Sequence, residues 1–118
     1  MERDPRSYLW DARESAETIV RFVAGVSHDQ YLGNEMLQAA VERHFMIIGE
    51  ALGRLAKIDP KLADQVTDLK RAVAFRNVLV HGYEVVDPKT VWLTTQEGLP
   101  RLRTSIDKLL AALDQGST

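Results

Sequence analysis

The chain has 118 residues, of which 45% are hydrophobic and 27% charged, and its formal net charge is −2 at pH 7. This size and composition are typical of one globular domain with its own core, which we expect to span residues 1–118. The absence of cysteine excludes disulfides and thiolate metal sites and fits a reducing cytoplasm. No apolar run is long enough for a membrane span and no secretory leader is visible, so we expect no membrane contact. The slightly negative net charge argues against a broadly basic nucleic-acid coat, so any such site must be local.

Three Asp-Pro pairs predict helix starts along the chain: Asp4-Pro5, Asp59-Pro60 and Asp87-Pro88. An aspartate accepts backbone N–H bonds at a helix N-cap, and a proline at the first helical position lacks only a donor that the helix does not use. The first helix is expected from Pro5 to about Ala24, because its apolar residues recur on one helical face.

A second, longer helix is predicted from Asn34, its N-cap, to about Ile58. Its apolar face is formed by Leu37, Ala40, Val41, Ile48, Ala51, Leu52 and Leu55. His44 projects to the centre of that face, and we interpret it as a core histidine satisfied by one hydrogen bond. Gly49 weakens the helix relative to alanine, so the close approach of another helix is the expected reason for it.

The third main helix should run from Asp68 to about His81, with Thr67 as its N-cap and Gly82 ending it in a left-handed conformation. A short helical piece at residues 61–65 precedes it. The last helix should follow Asp87-Pro88.

The sequence GLP at residues 98–100 should kink that last helix rather than divide it, and residues 115–118 should form a frayed tail. No segment alternates between polar and apolar residues as a strand would. The predicted fold is therefore all-α, an up-and-down bundle of about four main helices with additional short helical turns.

The segment RNVLVHGY, residues 76–83, places a guanidinium, an amide, an imidazole and a phenol close together along the chain. Arg76 and His81 are five residues apart, so a regular helix separates them by about 140° around its axis. They can converge if the helix end unwinds at Gly82, or if two copies of the segment face each other across a dimer axis.

Two helical lines of this segment differ in character. Lys70, Ala74, Asn77 and His81 follow a polar line, in which Ala74 leaves room for a ligand backbone and Lys70 is a candidate phosphate contact. Arg76 instead replaces an apolar residue in an apolar line, where a guanidinium needs a carboxylate or phosphate partner. Glu50 is a candidate partner.

These side chains support cleavage of an RNA phosphodiester without a metal or cofactor. Histidine is the side chain suited to proton transfer near neutral pH, so His81 can move a proton to or from the 2′-hydroxyl or the leaving oxygen. Arg76 can clamp the phosphate and stabilise its developing charge, while Asn77 orients His81 or holds a phosphate oxygen. Attack by the 2′-hydroxyl leaves a cyclic phosphate and restricts the reaction to RNA.

A structural interpretation of the same residues stays open. Cationic groups near a helix C-terminus interact favourably with the helix dipole, and Tyr83 would then pack on Val78 beside the terminal glycine. The alternative function is a non-catalytic helical module that binds a nucleotide or phosphate, or that serves dimerisation.

The run Arg76-Asn77-x-x-x-His81-Gly82-Tyr83 resembles the signature of the HEPN superfamily, and in particular its HepT-like branch. The segment IIGEA at residues 47–51, residues 86–92 and Leu99-Pro100 are similar to further parts of that branch, so the resemblance covers nearly the whole chain. One departure is the segment DLKRAVAF at residues 68–75, where relatives often have a proline and an aromatic residue.

The resemblance implies a HEPN-like homodimer with a composite ribonuclease site of Arg76, Asn77 and His81 in the dimer cleft. It also implies the toxin of a type VII-like toxin–antitoxin system, paired with an MNT-type nucleotidyltransferase antitoxin. That antitoxin would neutralise the toxin by adding AMP to Tyr83, because a bulky anionic group beside His81 and Arg76 would occupy the phosphate site.

Overall fold

The computed structural model describes residues 3–81 and 86–116, and these ranges contain helices and no strand. The prediction of an all-α fold is confirmed. The helices are α1 (Pro5–Val23), α2 (His28–Leu32), α3 (Glu35–Ile58), α4 (Pro60–Ala63), α5 (Leu69–His81), α6 (Pro88–Gln96) and α7 (Gly98–Gly116). None of the helices in these ranges is long and apolar enough to cross a membrane.

Side-chain N-caps begin several helices where the sequence predicts them. The caps are Asp4 for α1, Asn34 for α3, Asp59 for α4 and Asp87 for α6, and each side chain accepts a backbone N–H bond from the first turn. The donor–acceptor distances lie between 2.9 and 3.1 Å. Each cap satisfies a backbone donor that has no partner inside the helix, which fixes the start of the helix locally.

The helix α3 is the centre of the fold. It packs along α1 on one side and along α5 on the other, while α7 packs against α1 and α6. Its apolar face is fully enclosed, with Val41, Ile48, Leu52 and Leu55 at most 1% exposed. Because α5 rests directly on this central helix, the orientation of the α5 side chains is set by the α3–α5 contact.

The interpretation of His44 as a core histidine with one hydrogen bond is confirmed. Its Nδ1 lies 3.1 Å from the hydroxyl oxygen of Ser15 on α1, and its half-buried ring meets that of Phe22 edge-on at 5.7 Å. The histidine thus links α1 to α3 within the core.

This environment predicts a pH dependence of the free energy of unfolding. Burial, together with Arg43 and Arg21, lowers the pKa of His44 from its usual 6.5. The unfolded chain therefore binds the proton more readily, so His44 stabilises the fold fully above pH 6.5 and less as the pH falls below that value. Urea unfolding from neutral pH to about pH 5 should show a smaller loss of stability in His44→Gln than in the unsubstituted chain. Equal losses in both proteins would contradict this role.

The start of α5 differs from the prediction by one residue, and Thr67 is not its N-cap. Asp68 precedes the helix, because its carbonyl accepts the 3.0 Å bond from the Ala72 N–H, and its backbone adopts a φ of +66°. Its carboxylate accepts a 3.1 Å bond from the Arg101 Nε, and the Thr67 N–H donates to the Ser105 hydroxyl at 2.8 Å. Both residues therefore fasten the start of α5 to α7, a long-range role that local capping rules do not predict.

The prediction of one kinked final helix is wrong, because the chain forms two helices that part at Glu97. A continuous helix would press the Pro100 ring against the carbonyl of Gln96, four residues earlier. In the observed arrangement Pro100 lies in the first turn of α7, where its missing N–H costs nothing. The helix α7 continues to Gly116 and so includes the first two residues of the predicted tail.

Candidate functional site

The helices α3 and α5 meet most closely at Gly49. A Cβ atom at this position would overlap the Arg76 Cβ and would lie 2.8 Å from the Ala72 carbonyl oxygen and 2.9 Å from the Arg76 Cγ. Only glycine fits there, so the predicted close helix approach is confirmed. The contact holds the stem of Arg76 against α3 and so fixes where its guanidinium group begins.

The Arg76 guanidinium group keeps hydrogen-bonding capacity in this position. Its Nη1 donates to the Asn77 side-chain oxygen at 3.1 Å, while its buried Nε has no hydrogen-bond partner among the described residues. The candidate partner Glu50 forms no ion pair with it in the part of the chain that the structure describes. Glu50 instead accepts a 3.3 Å bond from Arg54, one turn further along α3.

Arg76 and Asn77 line an open groove between α3 and α5 with a volume of about 920 Å³. Its charged lining residues are Glu50, Arg54, Lys57, Lys70 and Arg76, that is, four cations and one carboxylate. The structure therefore brings four of the predicted site residues, Arg76, Asn77, Lys70 and Glu50, to one groove.

His81 is the exposed last residue of α5 and does not line this groove. Since α5 is a regular helix through His81, the angle of about 140° between Arg76 and His81 is retained. Unwinding at Gly82 would not change it, because both residues precede Gly82 in intact helix. One chain thus does not bring Arg76 and His81 together. Gly82 and Tyr83, on which two further predictions rest, lie outside the described residues.

Val78 is an apolar neighbour of the polar line on the outer face of α5. Its side chain is 53% exposed, and it lies four residues after Ala74 and three before His81, so the three share one surface strip. The strip therefore combines an exposed apolar side chain with the imidazole at its end.

Sequence reasoning missed the α3 wall of the groove, formed by Arg54 and Lys57. The signal was present, because Glu50, Arg54 and Lys57 recur at intervals of four and three residues and so share one helical face. Gly49 and Gly53 flank that face and mark where α5 packs. Within residues 3–81 and 86–116, no three histidine, aspartate or glutamate side chains cluster in a way that could hold a metal ion.

The fold and these residues define an all-helical protein with an arginine, an amide and a histidine along one helix. The sequence profile of the family described as "Ribonuclease HepT-like" matches residues 12–109. The chain belongs to the HepT-like ribonuclease family.

Several curated proteins are similar to the chain over nearly their full lengths. "Probable ribonuclease HepT" of Thermococcus cleftensis is 30% identical over 109 residues, which cover 92% of this chain and 98% of that protein. "Putative RNase MJ1380" of Methanocaldococcus jannaschii is 29% identical over 106 residues, 90% of this chain and 96% of that protein. "Putative RNase TTE0752" of Caldanaerobacter subterraneus subsp. tengcongensis is 28% identical over 108 residues, with 92% and 96% covered. No solved structure matches the chain significantly.

Proposed function

We propose that the chain is a metal-independent endoribonuclease that acts as a homodimer and is the toxin of a type VII-like HEPN/MNT toxin–antitoxin system. Its membership of a ribonuclease family supports the activity. The observation that carries the homodimer is the regular helix from Arg76 to His81, which keeps the two side chains apart in one chain. A complete site then requires a second copy.

The outer strip of α5 is the surface on which we base the dimer. Pairing of two α5 helices about a two-fold axis would bury Val78 and juxtapose the two copies of the strip. His81 of one copy would then lie beside Asn77 of the other, whose side-chain oxygen accepts the bond from the Arg76 guanidinium group. Two copies also bring two sets of cations into one cleft, so the positive charge is concentrated there although each chain has a net charge of −2.

The reaction follows from the chemistry of these side chains. The 2′-oxygen attacks the phosphorus, the bond from phosphorus to the 5′-oxygen breaks, and the products are a 2′,3′-cyclic phosphate and a 5′-hydroxyl. His81 takes the proton from the 2′-hydroxyl or supplies one to the leaving 5′-oxygen. Arg76 stabilises the charge that develops on the phosphate, and its bond to Asn77 orients the guanidinium group.

The test is RNA cleavage by the purified full chain in EDTA. The unsubstituted chain should cut RNA and leave cyclic phosphate ends, and His81→Ala should lower the rate by about 100-fold or more, the usual contribution of a general acid or base. The exposed position of His81 predicts an unchanged melting temperature for the variant. Cleavage by His81→Ala at the original rate would refute the proposal. Tight phosphate binding without any cleavage would identify a non-catalytic binding module instead.

The antitoxin part of the proposal rests on the resemblance of the segment from Arg76 to Tyr83. The cognate nucleotidyltransferase would transfer AMP from a nucleoside triphosphate to the Tyr83 hydroxyl and release pyrophosphate. Tyr83 follows His81 by two residues, so the new phosphate group would compete with RNA for the cations of the site.

A further inference from the structure

The groove between α3 and α5 concentrates positive charge on a chain that is negative overall. Four cations line it against the single carboxylate of Glu50, and that carboxylate is already paired with Arg54. Lys57 and Lys70 are exposed, and neither forms an ion pair within the described residues. Two cations without carboxylate partners on facing walls form a site that favours an anion.

The glycine contacts show where these lysines lie along the groove. Gly49 meets Arg76 and Gly53 meets Val73, so α3 and α5 run antiparallel where they cross. Lys57, one turn beyond Gly53, therefore comes level with the start of α5, where Lys70 is located. Lys70 precedes Asn77 by seven residues, or about 10 Å along the helix axis. The paired lysines thus occupy one end of the groove, and Arg76 with Asn77 occupy the other.

We infer that this groove binds the backbone of single-stranded RNA on one side of the bond that is cut, with Lys57 and Lys70 holding a phosphate group away from the cleavage site. The inference rests on the proposed function and adds the path of the substrate. Cations at both ends of one groove match a polymer with repeated phosphates better than an isolated anion.

The shape of the groove favours one strand over a duplex. Packed helices have axes about 8–10 Å apart, so the cleft along their line of contact is too narrow for a duplex and can follow only one strand. The side chains between the two cationic ends are small or apolar, among them Gly53 and Val73, and so leave room for ribose and base. Single-stranded segments also leave their bases unpaired, so that the bases can pack against these apolar side chains.

The experiment measures binding separately from cleavage. A fluorescent oligoribonucleotide long enough to span the groove is titrated with the His81→Ala chain at several salt concentrations. Adding Lys57→Gln and Lys70→Gln together should weaken binding. It should also make the fall of log K with log salt concentration less steep by about 1.4, because each phosphate contact on a single strand contributes about 0.7 to the magnitude of that slope. The double variant Lys89→Gln/Lys108→Gln removes the same charge from exposed lysines outside the groove and should leave affinity and slope unchanged.

Each outcome decides between assignments. Equal weakening by the two double variants would show that RNA responds only to net charge and would overturn the inference. Unchanged RNA binding in Lys57→Gln/Lys70→Gln would also overturn the inference. It would instead favour an acidic protein surface as the partner of the groove. In the chain with His81 intact, Lys57→Gln/Lys70→Gln should raise the KM for the oligoribonucleotide by a larger factor than it lowers kcat. Failure of the unsubstituted chain to cut RNA would refute the proposed function alone, since the binding result is obtained without cleavage.

Discussion

Gly49→Ala should destabilise the fold and suppress RNA cleavage, whereas Gly53→Ala should stabilise the fold. Both glycines lie in α3 and face α5, and alanine favours a helix over glycine by about 1 kcal/mol at either position. At Gly53 the nearest atom to a new Cβ is the Val73 Cγ2 at 3.8 Å, an ordinary contact, so the helical gain remains. At Gly49 the new Cβ overlaps Arg76 and the backbone of α5, and overpacking of this kind costs about 1–3 kcal/mol.

Urea unfolding and RNA cleavage measured on the same two variants separate stability from function. The helix α5 must shift to admit the Gly49→Ala methyl group, which displaces the base of Arg76. Cleavage by Gly49→Ala should therefore fall even at temperatures where the variant is fully folded, and it should fall more than in Gly53→Ala, which leaves the base of Arg76 in place. If the two variants unfold at the same urea concentration, the close α3–α5 contact at Gly49 is not what requires glycine there.

The helix starts that the sequence predicts are those fixed by local chemistry. Asp4, Asn34, Asp59 and Asp87 cap helices through side-chain bonds that span two or three residues, so their patterns are visible in the sequence. The start of α5 is different, because Asp68 takes a left-handed backbone conformation and binds Arg101, which is 33 residues away. No local pattern indicates that contact.

In the candidate site, too, the features that depend on local helix geometry can be predicted from the sequence, and those that depend on tertiary packing cannot. Helical periodicity alone separates Arg76 from His81, and the structure retains the regular helix on which that separation depends. The ion pair of Arg76 with Glu50 depends on tertiary placement, and Arg54, one turn away on the same helix, pairs with that carboxylate instead. Helical periodicity places Arg54 and Lys57 on one face of α3, but only the packing of α3 against α5 makes that face a wall of the groove.

Two inactive variants should restore activity to each other if the site is composite. Arg76→Gln retains the Cβ and Cγ atoms that pack against Gly49 and removes only the guanidinium group, and His81→Ala changes an exposed side chain. In a mixed dimer, the intact Arg76 of one chain meets the intact His81 of the other in one of the two sites, while the second site lacks both. Random reassortment makes half of the dimers mixed, so the mixture should reach about a quarter of the unsubstituted rate.

Disruption of the dimer should abolish this restoration. Val78→Glu introduces a charge into the outer strip of α5, and placing it in both inactive chains should give monomers by light scattering and no recovered cleavage. Leu93→Glu is the matched control, because Leu93 has the same 53% exposure as Val78 but lies on α6. Pairs that carry it should still dimerise and recover cleavage. If mixed chains without either substitution stay inactive although they form mixed dimers, Arg76 and His81 act within one chain. The separation imposed by α5 would then have to be overcome by unwinding of the helix between them, and not by a second subunit.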